Sequence, residues 1–407
     1  MISTEAQQAW AALPMHQRLA VLRRARHRIA DAAEPLAQAA ARPGASEADI
    51  LVAEVMPLLA AIRFLEKRAA GLLAPRHPWR GRPVWLFGTR LEIRRLPVGR
   101  ILVIAPANYP LLLPGVQLMQ ALAAGNAVAV KPALGHAAPM ALLAGLLADS
   151  GLPGGLLRVL DHSPATGEAA VGSGEYDLVL LTGASTTGRA VLAQAAPLLL
   201  PAIMELSGED PFVVLEGADA NYAAQALAFG LAFNAGNTCI APRRVIVVRA
   251  IEAAFRAALP AGATFTVVAD ESEALVTANS GAYALGAAVF GSSVAAAAFA
   301  RRLRAGCVVV GDVLAPTADP RLPFGGAGES GFGITRGAEG LLALTRPQAI
   351  VTRRKPEWRH LAPLDDTAAP MVSALLRVVY GGNRVKSGLA AIAEIRRHAA
   401  TRAKSVT

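Results

Sequence analysis

Cysteine is scarce in this chain, which has two cysteines among 407 residues. Two thiols cannot supply the disulfide network on which small secreted domains depend, so a fold built on disulfides is excluded and a reducing compartment is expected. The N-terminal residues 1–18 contain Glu5 and no apolar stretch. We therefore also expect no signal peptide, and a cytoplasmic location.

Charged residues are also few, at 17% of the chain against 54% hydrophobic residues. This balance excludes intrinsic disorder and predicts a large buried interior, and the length favours more than one domain. The longest uncharged run, residues 101–130, contains three prolines and a Gly-Asn pair. We therefore predict a strand, a helix, a turn and a strand there, and not a membrane-spanning helix.

Acidic residues are in deficit, and the net charge of +10 is unevenly distributed. Residues 353–407 hold eleven Lys or Arg against four Asp or Glu. Such a tail can contact anionic lipid or nucleic acid, but few aromatic residues lie among the basic ones, which argues against nucleic acid. Apolar residues within 371–380 recur at helical spacing. A weak contact with a membrane surface and a solvated tail therefore both stay open.

Apolar strands alternate with helices from Val98 onward, which predicts a parallel sheet covered on both faces. A doubly wound nucleotide-binding domain is the natural interpretation, although the first strand-to-helix turn has no G-x-G-x-x-G fingerprint. After residue 208 we predict a second α/β unit, with strands near 243–248, 264–268, 286–290 and 306–310. In the first unit the predicted strands are 100–105, 126–131, 157–161, 177–182 and 201–205, with helices at 110–124, 136–150, 164–173 and 186–199.

The N-terminal region, up to about Leu73, has apolar residues at helical spacing, and Ser46 followed by Glu47 and Asp49 indicates a helix start. Residues 76–96 alternate apolar and charged residues and predict a β-hairpin or edge strands.

One of the two cysteines, Cys239, lies in FNAGNTCIAP, residues 233–242. A nucleophilic thiol needs small neighbours and a backbone N–H that can receive the charge on a carbonyl oxygen, although a buried, inert thiol is the alternative. The stretch resembles the nucleophile segment of the aldehyde dehydrogenase superfamily, with Asn237 in place of the usual Gln. The resemblance implies that Cys239 attacks an aldehyde, while Cys307 is expected to be a buried core thiol.

Two neighbouring segments strengthen the resemblance: IAPANYP at residues 104–110 and ALAAGNAVAVKP at 121–132. The resemblance implies that the Asn108 amide donates a hydrogen bond to the oxyanion, and that Pro106 and Lys131 contact a dinucleotide. The ribose-binding acid that often follows Lys-Pro in the family is absent here. Without that carboxylate, NAD and NADP are both admissible cofactors.

Further segments match in the family's order. LTGASTTGR, residues 181–189, follows a strand and opens a helix, so Gly183, Ser185 and Gly188 are predicted to bind the pyrophosphate. MELSG, residues 204–208, places Glu205 34 residues before Cys239, and the resemblance implies that Glu205 activates the water that releases the product. LPFGGAGESGFG, residues 322–333, resembles a substrate-side loop.

The resemblance implies an aldehyde dehydrogenase-like α/β fold that oxidises an aldehyde to a carboxylic acid through a cysteine thiohemiacetal and a thioester. We expect no bound metal, and we expect the chain to form a homodimer. The predicted domains are a cofactor-binding domain (1–75 and 97–207), a catalytic domain (208–335), oligomerisation strands (76–96 and 336–356) and a basic C-terminal tail (357–407).

One departure is substantial: the family's E-x-F-G-P segment, which contacts the nicotinamide ribose, is not found between Cys239 and Asn279. Its loss should weaken cofactor placement. A catalytically weak or inactive homologue that acts as a binding or scaffold subunit is therefore the alternative.

Overall fold

The computed structural model describes residues 2–83, 86, 88–353, 369–382, 388, 391–393 and 396. Contacts divide the chain into two units. The first comprises residues 1–77 and 92–350, and the second comprises residues 78–91 and 351–407. The division into cofactor, catalytic and oligomerisation parts remains a prediction.

Helices make up the N-terminal region, as the spacing of apolar residues predicted. Ser46 begins one of them with a capping box, in which its hydroxyl accepts from the Asp49 N–H and the Asp49 carboxylate accepts from the Ser46 N–H. A π-helical turn, Leu51–Val55, leads directly into the last of these helices. The helices are α1 (Thr4–Ala12), α2 (Met15–Asp31), α3 (Ala33–Ala39), α4 (Glu47–Ile50) and α5 (Met56–Leu73).

Among the described residues of the segment 76–96, the regular β-structure is one strand and one isolated bridge. Strand β1 (Thr89–Pro97) pairs with the late strand β15 (Thr345–Arg353) in a two-stranded sheet, and Arg76 makes one antiparallel bridge with Ile93. The second of the two predicted forms, edge strands, is therefore the one observed.

A six-stranded sheet follows, and each strand predicted for it is present to within two residues at either end. Its order is β14-β6-β5-β2-β3-β4, and all neighbours are parallel except β14 and β6. The elements are β2 (Arg100–Ile104), α6 (Leu112–Ala124), β3 (Ala127–Lys131), α7 (Ala138–Asp149), β4 (Leu157–Val159), α8 (Pro164–Gly172), β5 (Leu178–Thr182), α9 (Ser185–Ala195), β6 (Ala202–Glu205) and β14 (Gly331–Phe332).

The chain order reverses between β2 and β5, because β3 and β4 extend the sheet on one side and β6 extends it on the other. This is the doubly wound arrangement, and ligands of such sheets bind at the carboxyl ends of the strands beside the reversal. Successive residues of β2 enter opposite hydrophobic clusters: Ile101 and Val103 one, Leu102 and Ile104 the other. Both faces are therefore covered, which is why these strands are continuously apolar.

A second sheet, of five parallel strands, has the order β12-β11-β7-β8-β9. Strand β7 was not predicted, whereas the other four were. The elements are β7 (Asp210–Val214), α10 (Ala220–Ala232), β8 (Pro242–Val248), α11 (Glu252–Ala258), β9 (Thr266–Val268), α12 (Glu271–Asn279), β10 (Tyr283–Ala284), β11 (Gly286–Phe290), α13 (Ser293–Ala300), β12 (Cys307–Val310), β13 (Ala327–Gly328) and α14 (Gly337–Ala343).

In the second unit, α15 (Ala369–Tyr380) confirms the helical spacing seen in the sequence. Its apolar residues Val372, Leu375, Leu376 and Tyr380 are exposed. Much of the remaining tail lies outside the described residues, and its predicted membrane-surface contact stays a prediction. No helix in the described part of the chain is long and apolar enough to span a membrane.

Candidate active site

The loop that carries Cys239 connects α10 to β8 and has an unusual backbone. A short 3₁₀ turn, Phe233–Gly236, contains two left-handed non-glycine residues, Asn234 (φ 54°) and Ala235 (φ 51°). Asn adopts this conformation readily, whereas it is costly for Ala and persists only where the surroundings impose it. The loop therefore reaches Cys239 through a strained turn.

Cys239 opens onto a cavity of about 170 Å³. Glu205 and Arg336 are the charged residues of its lining. The rest of the wall is largely apolar and includes three phenylalanines, Phe229, Phe233 and Phe324. Apart from the charged and polar groups near the thiol, the cavity therefore suits an apolar ligand.

Glu205 is the last residue of β6 and is 1% exposed. Its Oε2 accepts a hydrogen bond of 2.7 Å from the Thr335 hydroxyl, while Oε1 is buried with no hydrogen-bond partner. Burial raises the pKa of this carboxyl, and the Thr335 hydrogen bond and the Arg336 charge oppose the rise. A buried acid with one unpaired oxygen can exchange a proton with a ligand or a water in the cavity.

The Cys239 thiol has a pKa raised well above its usual value. Burial is the largest cause, followed by the negative charges of Glu205 and Asp210, while Arg336 acts in the opposite direction. Glu205 and Cys239 thus face the same cavity, and the charge on Glu205 raises the pKa of the Cys239 thiol. The second thiol, Cys307, is half-buried, so the expectation of a buried core thiol was wrong.

Asn108 lies in the loop between β2 and α6 and contacts the Cys239 loop directly. Its Nδ2 donates to the Asn237 carbonyl at 2.7 Å, and its own carbonyl accepts from Asn234 Nδ2 at 3.0 Å. Asn108 is not among the described residues that line the cavity, and one N–H of its amide is bound by the nucleophile loop. Its assignment as an oxyanion donor remains a prediction.

The residues predicted to hold a dinucleotide lie where the doubly wound sheet reverses. Lys131 ends β3 and is 8% exposed, and Pro106 follows β2. Gly183 and Ser185 follow β5, and α9 starts with no side-chain cap, which leaves its first N–H groups available to an anion. Gly188 packs so closely that an added Cβ would lie 2.8 Å from the Leu206 side chain.

One contact at the start of α9 was not anticipated. The Ser185 hydroxyl donates to the Glu329 carbonyl at 2.8 Å, and Arg189 forms an ion pair with the Glu329 carboxylate. The loop that resembles a substrate-side segment therefore also lies against the helix start. The residues present fit a dinucleotide through the uncapped α9 start and the Lys131 ammonium.

Sequence reasoning missed a buried polar cluster behind the Cys239 loop, formed by Arg42, Glu54 and Asn234. Arg42 Nε donates to Asn234 Oδ1 at 2.7 Å, and Arg42 also pairs with Glu54. One signal was available, because Glu54 is a lone acid in the otherwise apolar run from Ile50 to Leu59. Buried acids are paired or hydrogen-bonded, so such a residue indicates a polar contact inside the fold.

Fold and site together define a class: an α/β protein in which a doubly wound sheet adjoins a second α/β layer carrying a thiol and a buried acid. The aldehyde dehydrogenase family model matches residues 2–264 and 263–350. The chain therefore belongs to the aldehyde dehydrogenase family.

Similar proteins carry related names. The chain is 27% identical to a 4,4'-diapolycopene aldehyde oxidase of Methylomonas sp, with 91% of this chain and 84% of that protein covered. It is 28% identical to a putative succinate-semialdehyde dehydrogenase [NADP(+)] of Mycolicibacterium smegmatis, over 86% and 83% of the two chains. It is 32% identical to a benzaldehyde dehydrogenase [NAD(+)] of Pseudomonas putida, over 65% and 54%.

A solved structure of similar sequence identity supports the fold. A putative aldehyde dehydrogenase from Burkholderia cenocepacia superposes with a TM-score of 0.76 at 27% identity, over 86% of this chain and 91% of that one. The superfamily and the aldehyde dehydrogenase-like α/β fold expected from the sequence are confirmed.

The alignments also bear on the missing E-x-F-G-P segment. The family model matches in two stretches that meet at residues 263–264, between α11 and β9. The alignment with the Methylomonas protein has 450 positions, which is longer than the whole 407-residue chain and therefore contains gaps. Both observations agree with a deletion after the nucleophile.

Proposed function

We propose that this protein oxidises an apolar aldehyde to a carboxylic acid with NAD or NADP, through a covalent bond to Cys239. One observation carries the proposal: the Cys239 thiol and the Glu205 carboxyl, with its unpaired Oε1, face one largely apolar cavity. Family membership supplies the class of reaction, and the names of two relatives, which include NAD(+) and NADP(+), support the cofactor.

The chemistry begins at the thiol. Because its pKa is raised, Cys239 must lose its proton to a base, and the coupled Glu205 carboxylate is the base that the site offers. The thiolate sulfur then bonds to the aldehyde carbon, and the carbonyl oxygen takes the negative charge. We propose the Cys239 backbone N–H and the Asn108 amide as the donors to that oxygen.

Lys131, Gly183, Ser185 and Gly188, with Pro106, are proposed to hold the cofactor. When bound, the nicotinamide accepts the hydride that leaves the former aldehyde carbon, which stays on Cys239 as a thioester. Glu205 first releases the proton of the thiol to solvent and then takes a proton from water, and the water oxygen bonds to the thioester carbon. The carbon–sulfur bond breaks, and the protonated Glu205 returns its proton to the Cys239 sulfur. The products are the carboxylic acid and the restored thiol.

The test follows reduced nicotinamide by absorbance with a straight-chain apolar aldehyde and with a semialdehyde that carries a carboxylate. The wild type should turn over the apolar aldehyde with the higher kcat/KM. Cys239→Ala should abolish activity, since no covalent step remains. Glu205→Gln should slow turnover by about 100-fold or more, since both the deprotonation of the thiol and the hydrolysis of the thioester need the carboxylate.

Equal rates for the wild type and the Cys239→Ala variant would refute the covalent step. Failure of both NAD and NADP to bind in a calorimetric titration would instead favour the scaffold alternative, which the missing ribose-binding segment supports.

A further inference from the structure

Two loops that come from different parts of the chain meet behind the thiol. The Asn108 loop, residues 105–111, is joined to the nucleophile loop, residues 233–241, by the two hydrogen bonds of Asn108. A third link joins the hydroxyls of Tyr109 and Thr238, 2.8 Å apart and buried. The position of Cys239 therefore depends on how these loops are held together.

The nucleophile loop needs such support because three successive residues have left-handed backbone angles. Asn234, Ala235 and Gly236 have φ values of 54°, 51° and 73°. Glycine adopts this conformation freely and Asn readily, but Ala does so at a cost, so the turn would relax if nothing constrained it. The Asn234 side chain supplies a constraint, since its amide donates to the Asn108 carbonyl and its oxygen accepts from Arg42.

Arg42 lies in the loop that follows α3, and its side chain is 7% exposed. Its Nε donates to Asn234 Oδ1 at 2.7 Å, while Nη1 donates to the Ala40 carbonyl at 3.1 Å and pairs with Glu54. The guanidinium carbon also lies 5.7 Å from the centre of the Tyr109 ring. One planar cation thus touches both loops, which a flexible ammonium could not do with the same geometry.

Glu54 completes the arrangement from the other side. Its side chain is fully buried in the π-helical turn, and Oε2 accepts from the N–H groups of Leu111 and Leu112 at 2.8 and 3.0 Å. These N–H groups belong to the first turn of α6, which has no side-chain cap from its own N-terminal residues. Glu54, from a distant part of the chain, therefore caps that helix. Isolated π-helical turns occur often at functional sites.

We propose that Arg42 and Glu54 are positioning residues that hold the Asn108 and nucleophile loops together, so that Cys239 faces the aldehyde. The role in turnover rests on the proposed function, whereas the effect on the thiol does not. Neither side chain lines the cavity among the residues described, so both act through Asn234, Asn108 and the start of α6. The pair connects the N-terminal helices to the chemistry of the site.

The primary test measures alkylation of Cys239 by iodoacetamide at fixed pH, in a Cys307→Ser background that leaves one reactive thiol. Arg42→Met should slow alkylation and lower kcat by about tenfold or more, with KM changed less than threefold, because the thiol is misplaced and the cavity is not. Arg26→Met is the matched control, since Arg26 pairs with Glu66 at 2.6 Å between α2 and α5. It should leave both rates within twofold.

Arg42→Lys keeps the charge and tests the geometry. We expect it to restore little of the alkylation rate, since an ammonium cannot bond Asn234 and Glu54 through a fixed planar fork.

A second pair of variants leaves the buried Arg42 and Glu54 in place and is used if Arg42→Met does not fold. Gly44 is exposed with φ +79°, and an added Cβ would lie 2.8 Å from Ala235 Cβ. Gly262 is exposed with φ +87° and has open space where a Cβ would go. Both Gly→Ala changes strain the backbone similarly, but only Gly44→Ala should displace the nucleophile loop and slow alkylation.

The proposal is overturned if Arg42→Met and Gly44→Ala alkylate within twofold of their controls. If alkylation follows the expected order while no aldehyde is oxidised by the wild type, the positioning role stands and the proposed oxidation fails.

Discussion

At the scale of single residues, the site depends on two groups whose ordinary ionisation is disfavoured. The Cys239 thiol and the Glu205 carboxyl both have raised pKa values, and burial is the largest cause for each. Arg336 opposes both shifts, and it is held by a hydrogen bond to the Thr317 carbonyl at 2.9 Å and by stacking on Phe324. Arg336 therefore favours the charged forms of both groups, the thiolate and the carboxylate, against the effect of burial.

Replacement of Arg336 by Met should shift the rising limb of the kcat/KM profile to higher pH. The sign follows from the base role of Glu205: activity requires the carboxylate, and loss of the cation raises the pKa of Glu205 and of Cys239 further. A pH series from mildly acidic to alkaline conditions measures the shift. Arg321→Met is the control, because Arg321 is exposed and pairs with Asp319; an equal shift in both variants would contradict the role of Arg336.

At the scale of elements, α9 is positioned by a glycine that brings its first turn against the end of β6. Gly188 lies close to Leu206, the residue directly after Glu205. The spacing of Gly183 and Gly188 was read from the sequence as a phosphate-binding turn. The structure adds that Gly188 also sets the distance between the proposed cofactor helix and β6, the strand that ends in Glu205.

Gly188→Ala should weaken cofactor binding by about tenfold, or about 1.4 kcal/mol, because the added methyl forces α9 away from Leu206. Calorimetric titration with NAD and NADP measures the change. Gly145→Ala, inside α7, is the matched control, since an added Cβ there meets no atom within 4 Å. That variant should bind the cofactor normally and be stabilised by about 0.5–1 kcal/mol. Equal affinities in the two variants would contradict the packing argument.

At the scale of the whole molecule, the described residues include a two-stranded sheet formed by β1 and β15, apart from the two larger sheets. Such ribbons are marginal alone, and their outer edges present unpaired backbone groups to which another chain can add. Val351, on β15, is 66% exposed. These features support the homodimer that the resemblance implied.

We expect the wild type to sediment as a dimer and Val351→Asp to sediment as a monomer, because a carboxylate on the open strand disfavours pairing. Val276→Asp is the control, since Val276 is 69% exposed on a helix surface of α12. Analytical ultracentrifugation at several concentrations measures the association. A monomeric wild type, or a Val351→Asp variant that dimerises like the control, would rule out this edge as the interface.

Local patterns in the chain determined much of the architecture. Buried parallel strands must be continuously apolar and must alternate with helices. The parallel strands of the six-stranded sheet could therefore be located from their apolar runs and from the turn residues between them. The motifs around Asn108, Lys131, Gly183, Glu205 and Cys239 likewise identified the family, because each is a contiguous stretch. Strand β7 was missed, since it follows β6 after a short turn without a helix between them.

Only the tertiary structure decided which side chains act together. Arg42, Glu54 and Asn234 come from distant parts of the chain, and no spacing rule brings them into contact. The same holds for the direction of the Asn108 amide, which depends on the carbonyl that the nucleophile loop presents to it. The chain's own pattern thus specified the strands, the helices and the candidate nucleophile Cys239. Long-range packing set the surroundings of that thiol, because hydrogen bonds between distant loops exist only once both sheets have formed.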